Sequence, residues 1–145
     1  MSPLSKLTWL SNEQPELVKG THKFISIKEY VFFKLFNEYV IDYSIASATG
    51  LFNLKNLAWD EEALKVAGVT TDQLSTPVST MHQVKGLNPE LAVEMHLLPD
   101  TPFIVGASDG VLSNLGVNAI EPGVVAVTIG TSGAIRAVTD KPVVD

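Results

Sequence analysis

Three consecutive apolar residues, Phe103, Ile104 and Val105, stand between Pro102 and Gly106. A run that short cannot build a helix, and it reads as a strand buried on both faces. Gly106, Ala107 and Ser108 then make a tight turn that carries Asp109 to the strand's carboxyl end, and residues 110–116 place Val111, Leu112 and Leu115 at helical spacing. Strand, acidic turn and helix form the unit of an open α/β sheet, in which ligands bind outside the carboxyl ends of the strands. A second apolar strand at 124–129 runs into Gly130-Thr131-Ser132-Gly133 and returns at 134–138. Glycines and two hydroxyls at such a turn leave backbone N–H groups free to approach an anion. Neither feature is specific alone, since an Asp after a strand also serves as a helix cap or turn former and a Gly-rich hairpin can bind nothing. Their pairing is what matters.

The chain has 145 residues, 46% of them apolar and 18% charged, enough to bury a core and too apolar to be disordered. No apolar run approaches the roughly 18 residues that span a bilayer. The opening MSPLSKLTWLSNEQ has no basic segment leading into an apolar one, so no membrane partner is expected and a cytoplasmic location is the default. The absence of cysteine excludes disulfides and sulfur-ligated zinc, and His22, His82 and His96 are too dispersed for metal-ligand spacing, so no metal site is assigned. A net charge of −6, with Arg136 the only arginine, argues against a nucleic-acid partner, because a phosphate-tracking surface needs clustered Lys and Arg.

Leu7, Leu10 and Leu17 predict a short helix over 5–17 broken near Pro15, with Lys6 and Trp9 on one face. A strand is expected at 24–27, then a helix over 28–39 whose stripe of Val31, Phe32, Leu35, Phe36 and Tyr39 belongs to the core. Asp42, the single acid in VIDYSIASATGLFNL, reads as a turn residue in preference to a ligand contact. Asp60 is placed to cap a helix, with Trp59 and Leu64 as its hydrophobic staple and Gly68 at its end. Residues 70–86 read as a polar connection through Pro77 with a strand near 81–84, and Asn88-Pro89 opens a helix that Pro99 closes. This order indicates an α/β architecture with a mixed sheet. The hairpin after Glu121-Pro122-Gly123 begins a sheet that the remaining residues do not complete, so the chain is expected to stop inside a second domain.

The opening Met1-x-Pro3-x-x-Lys6-Leu7-x-Trp9-Leu10-x-Asn12-Glu13 resembles the first signature of the FGGY carbohydrate kinases. Asp42-Tyr43-Ser44-x-Ala46-Ser47-x-Thr49-Gly50-Leu51-Phe52-Asn53, Trp59-Asp60, Gly106-Ala107-Ser108-Asp109-Gly110 and Gly130-Thr131-Ser132-Gly133 resemble later blocks, in order, across nearly the whole chain. Within the family, MSPLSKL, IKEY, IDYSIASATGLFNL and GASDGVLSNLG are most similar to members that phosphorylate gluconate.

The resemblance implies an actin-like, ribonuclease-H-like pair of domains closing on a sugar and ATP. Residues 1–120 would be the latter part of the sugar-binding N-terminal domain and 121–145 the start of the nucleotide-binding C-terminal domain. It implies ATP and Mg²⁺ as cofactors and phosphorylation of a sugar or sugar acid at a terminal hydroxyl, foremost D-gluconate to 6-phosphogluconate in carbohydrate catabolism. Asp109 matches the family's catalytic base and touches the substrate. Gly130, Thr131, Ser132 and Gly133 match its second phosphate loop, and Met1 falls at a position lining the sugar pocket. Lys6 and Lys28 are the cations available to gluconate's carboxylate, and a homodimer is compatible with the resemblance. The family's Asp-x-Gly-Thr loop, which holds phosphate and Mg²⁺, and its distal Gly-Gly adenosine segment are missing from these residues. The chain is therefore expected to be an internal piece of an enzyme roughly three times longer and not to catalyse alone. The rival readings are a kinase for xylulose or another polyol and a non-catalytic sugar-binding module of the same fold.

Overall fold

The computed structural model describes residues 2–141. They fall into two compact units that divide after Gly106. In the first unit, helix α1 (Pro3–Glu13) starts on a proline beneath Ser2, whose Oγ accepts from the Ser5 N–H at 3.4 Å, and α2 (Pro15–Gly20) restarts at the expected break. The strand expected at 24–27 does not form. Ser26 instead caps α3 (Ile27–Phe36), and the buried Glu29 carboxylate reaches back to accept from the Ser26 N–H at 2.7 Å. A Ser-x-x-Glu start is a helix signal that outweighs loose alternation. The helix stops at Asn37 in the left-handed region (φ 57°), so Tyr39 lies beyond it, stacked on Phe33 at 4.5 Å. Phe32 and Phe36 are buried as expected, but Val31 is exposed.

Strand β1 (Val40–Asp42), buried throughout, leads into α4 (Tyr43–Ser47) and the short pair β2 (Phe52–Asn53) and β3 (Ala58–Trp59). Helix α5 (Glu61–Ala67) follows, with the Asp60 carboxylate accepting from the Ala63 N–H at 3.0 Å. Leu64 and Trp59 pack in one cluster with Leu7, Val18 and Leu51, which is the expected staple. Gly68 ends α5 at φ +70°, and a Cβ there would stand 2.7 Å from Ser11 Oγ, the hydroxyl that donates to the Ala67 carbonyl. Glycine is thus required both by the backbone and by the close approach of α1.

A 3₁₀ turn (Thr71–Gln73) precedes β4 (Thr76–Val78), which pairs in parallel with β1, Ile41 opposite Pro77. Reading this stretch as a connection missed the strand, because proline is compatible with a strand that has a single hydrogen-bonded neighbour. Strand β5 (Gln83–Val84) pairs antiparallel with β6 (Phe103–Ile104). Between them lies α6 (Pro89–Glu94), capped by Asn88, which accepts from Glu90 and Leu91 at 3.0 and 3.3 Å. Phe103 and Val105 face a second apolar cluster with Phe32, Phe36, Val84 and Leu87, but Ile104 is 46% exposed. The strand is therefore covered on one face, not on both.

The second unit contains α7 (Asp109–Gly116) and a hairpin of β7 (Val125–Ile129) and β8 (Gly133–Ala137) with Thr128 opposite Ala134. Buried Asn114 ties the end of α7 by donating to the Ala119 carbonyl at 3.3 Å. The mixed sheet expected from sequence is represented among the described residues by four two-stranded pairs, of which β1–β4 is parallel.

One ion pair joins distant parts of the first unit. Lys28 donates from α3 to Asp42 Oδ2 at 2.7 Å and to the Gly106 carbonyl at 3.2 Å. Asp42 is fully buried at the end of β1, and its Oδ1 caps α4 by accepting from the Ser44 and Ile45 N–H groups and the Ser44 hydroxyl. It is a helix cap and a buried counter-ion where a simple turn residue was expected. Burial opposes its charge, but the Lys28 ammonium, the Ser44 hydroxyl and the Ile45 N–H more than offset that and hold its carboxyl below the ordinary aspartate range. The stability this contributes is complete above the unfolded aspartate pKa of about 3.9 and is lost as pH falls through the lower folded value. Lys28→Met should destabilise the protein by about 3–5 kcal/mol at pH 7, since it strands a buried carboxylate. The loss should be clearly smaller at pH 4, where that carboxyl can take up a proton. Denaturant unfolding at the two pH values checks this, and an equal loss at both would refute it.

Candidate active site

Asp109 is the first residue of α7, directly after Ser108 at the cap position. Its Oδ1 accepts from the Gly110 N–H at 2.7 Å, and the residue is exposed. A carboxylate at the first helical turn is favoured by the partial positive charge there. An exposed carboxylate of this kind can orient a hydroxyl and take its proton.

The loop between β7 and β8 is closed by the Gly130 N–H donating to the Ser132 carbonyl at 3.0 Å, and Thr131 and Ser132 are exposed. Neither glycine is demanded by the hairpin itself. Neither has a positive φ, and a Cβ would meet only backbone, at 3.8 Å for Gly130 and 3.7 Å for Gly133. What the missing side chains provide is room for something outside the chain to approach the backbone N–H groups. The loop thus presents four small residues with two exposed hydroxyls and an uncovered backbone.

The structure also brings up a residue to which sequence reasoning assigned no role. Arg136 on β8 shares a face of the hairpin with Thr128, to whose hydroxyl its Nη1 donates at 3.2 Å. Its Nε lies 3.1 Å from where a Cβ on Gly110 would stand, beside Asp109. Strand alternation could have placed Arg136 and Thr128 on one face, but nothing in the spacing points to Gly110.

Of the other residues singled out, Met1 lies outside the described residues. Lys28 is engaged by Asp42 and Gly106 instead of standing ready for a substrate carboxylate. Lys6 lines a largely apolar cavity of about 430 Å³ in the first unit, together with Pro3, Glu29, Thr49, Trp59 and Ser75. Among the described residues no three His, Cys, Asp or Glu stand together to hold a metal, and no helix is long and apolar enough to cross a membrane.

Residues 1–116 match the model of the N-terminal domain of the FGGY family of carbohydrate kinases. The chain is 61% identical over all 145 residues to gluconokinase of Bacillus subtilis (strain 168), of which it spans 28%. Its fold superposes on gluconate kinase from Lactobacillus acidophilus with a TM-score of 0.94 at 40% identity, covering 99% of this chain and 29% of that one. Ligand-bound xylulose kinase from Lactobacillus acidophilus gives the same TM-score, identity and coverage. These likenesses, with the helices, strand pairs and loop described above, show that the chain has the actin-like, ribonuclease-H-like fold and belongs to the FGGY family of carbohydrate kinases.

Proposed function

We propose that this chain is part of a cytoplasmic kinase that phosphorylates D-gluconate at its C6 hydroxyl to give 6-phosphogluconate. The observation that carries this reading is the 61% identity to gluconokinase over all 145 residues, a span that includes Asp109 and the loop at Gly130 and Gly133. Residues 1–120 are assigned to the sugar-binding domain, with Met1 at the sugar pocket, and 121–145 to the start of the nucleotide-binding domain.

ATP with Mg²⁺, when bound, would supply the phosphoryl group and partly neutralise its charge. The chain's own residues position and polarise. Asp109 accepts a hydrogen bond from the C6 hydroxyl, aims its oxygen and takes the proton as that oxygen bonds to phosphorus. The loop Gly130-Thr131-Ser132-Gly133, its backbone left uncovered by the two glycines, faces the phosphate oxygens, to which the Thr131 and Ser132 hydroxyls donate. Such a reaction needs placement and charge stabilisation more than covalent help.

The xylulose kinase likeness supports the second reading, a kinase for xylulose or another polyol. Assaying the complete kinase against a panel of sugars and sugar acids decides between them, and gluconate should give the highest kcat/KM. Asp109→Asn in that enzyme keeps the acceptor for the Gly110 N–H but removes the charge and the basicity. Turnover at saturating ATP and gluconate should fall by about 10²- to 10⁴-fold with gluconate affinity changed far less. Near-normal turnover would end the assignment of Asp109 as base. Thr131→Val should raise KM for ATP or lower kcat while leaving gluconate affinity in place; weakened gluconate binding alone would remove the loop from the nucleotide site.

A further inference from the structure

Arg136 is the only arginine of the chain, and among the described residues it makes no ion pair. The ion pairs among the described residues are Lys19–Glu16 and Lys28–Asp42. The guanidinium donates to the Thr128 hydroxyl at 3.2 Å and lies against Gly110, where Nε and Nη2 are 3.1 and 3.5 Å from the position of an absent Cβ. That approach exists because residue 110 is glycine. A partly buried cation is thus set one residue from Asp109 and on the strand that leaves the loop at Gly133. A guanidinium is a rigid fork of five N–H donors, and one bond to a hydroxyl leaves most of that capacity for a two-pronged anion.

We propose that Arg136 binds the phosphoryl group while it is transferred, a role that rests on Asp109 being the base as proposed above. As the C6 oxygen forms its bond to phosphorus, Asp109 takes the hydroxyl proton. The bond from phosphorus to the bridging oxygen breaks with its electron pair left on ADP. Negative charge is then spread over the equatorial oxygens, and a fixed planar donor beside the base stabilises it. The sugar acid's own carboxylate is the other anion at hand, but it sits at the opposite end of the carbon chain from the C6 hydroxyl. A cation packed against residue 110 belongs to the reacting end.

The test uses the complete kinase with Arg136→Gln and Arg136→Lys, reading calorimetric affinity for a non-hydrolysable ATP analogue, for ADP and for gluconate beside steady-state turnover. Arg136→Gln should weaken the ATP analogue by about tenfold, leave ADP and gluconate affinities in place and lower kcat by about 10²- to 10³-fold. Arg136→Lys should recover only part of this, since an ammonium is a point charge without the fork. Equal weakening of ADP and the analogue, weakening of gluconate alone, or turnover close to wild type would each overturn the inference. Should Arg136→Gln fail to fold, Gly110→Ala, which displaces the guanidinium without removing its charge, should show the same selective loss in smaller measure, and its absence would overturn the inference equally. A wild-type enzyme that phosphorylates no sugar or sugar acid would overturn the proposed function instead, while the contrast between analogue and ADP would still judge Arg136.

Discussion

A carboxylate with no solvent exposure sits at the end of β1, and the arrangement of the first unit follows from the need to keep it charged. Burying an ion is costly unless its lone pairs are filled and its charge is opposed. Asp42 meets both conditions with one set of neighbours, giving Oδ1 to the start of α4 and Oδ2 to Lys28. The pair therefore fixes where β1 stops, where α4 starts and which way α3 is turned. Because Lys28 also holds the Gly106 carbonyl, it fixes the backbone at the last residue of the first unit. A lysine that looked free to meet a substrate carboxylate is spent on architecture.

The glycines divide by what explains them. Gly68 is required by its own positive φ and by Ser11 pressing against it, so the folded chain accounts for it completely. Gly110 is explained within the second unit by the guanidinium of Arg136 lying against it. Gly130 and Gly133 are explained by neither backbone nor packing. Their open backbone is what the proposed nucleotide contact at the hairpin loop would use.

The phosphoryl transfer proposed above suits such a construction. It asks for an acceptor oxygen held in line, a base beside it and donors for a highly charged group, and none of these calls for an elaborate side-chain constellation. One exposed carboxylate, one loop of small residues and one arginine are a sufficient inventory for what this stretch would contribute. The Bacillus subtilis gluconokinase that it resembles is more than three times its length, and this chain spans 28% of it.

Features set by residues within about four positions of one another were determined by the sequence alone. The Asp60 cap with its Trp59–Leu64 staple, the Asn88-Pro89 start, the break at Pro15, the Gly68 stop and the turn that delivers Asp109 all rest on local hydrogen bonds and backbone preferences that spacing encodes. The family blocks were legible for the same reason, being contiguous. Even locally the reading erred where one signal masked another: the Ser26–Glu29 cap displaced an expected strand, and Pro77 concealed β4. Tertiary structure alone decided the rest. Lys28 finds Asp42 fourteen residues away and Gly106 seventy-eight away, and Arg136 comes to rest on Gly110 from another element. A lysine or an arginine can satisfy its charge with any of many partners, and which one it meets depends on how the elements pack, a choice that no local spacing records.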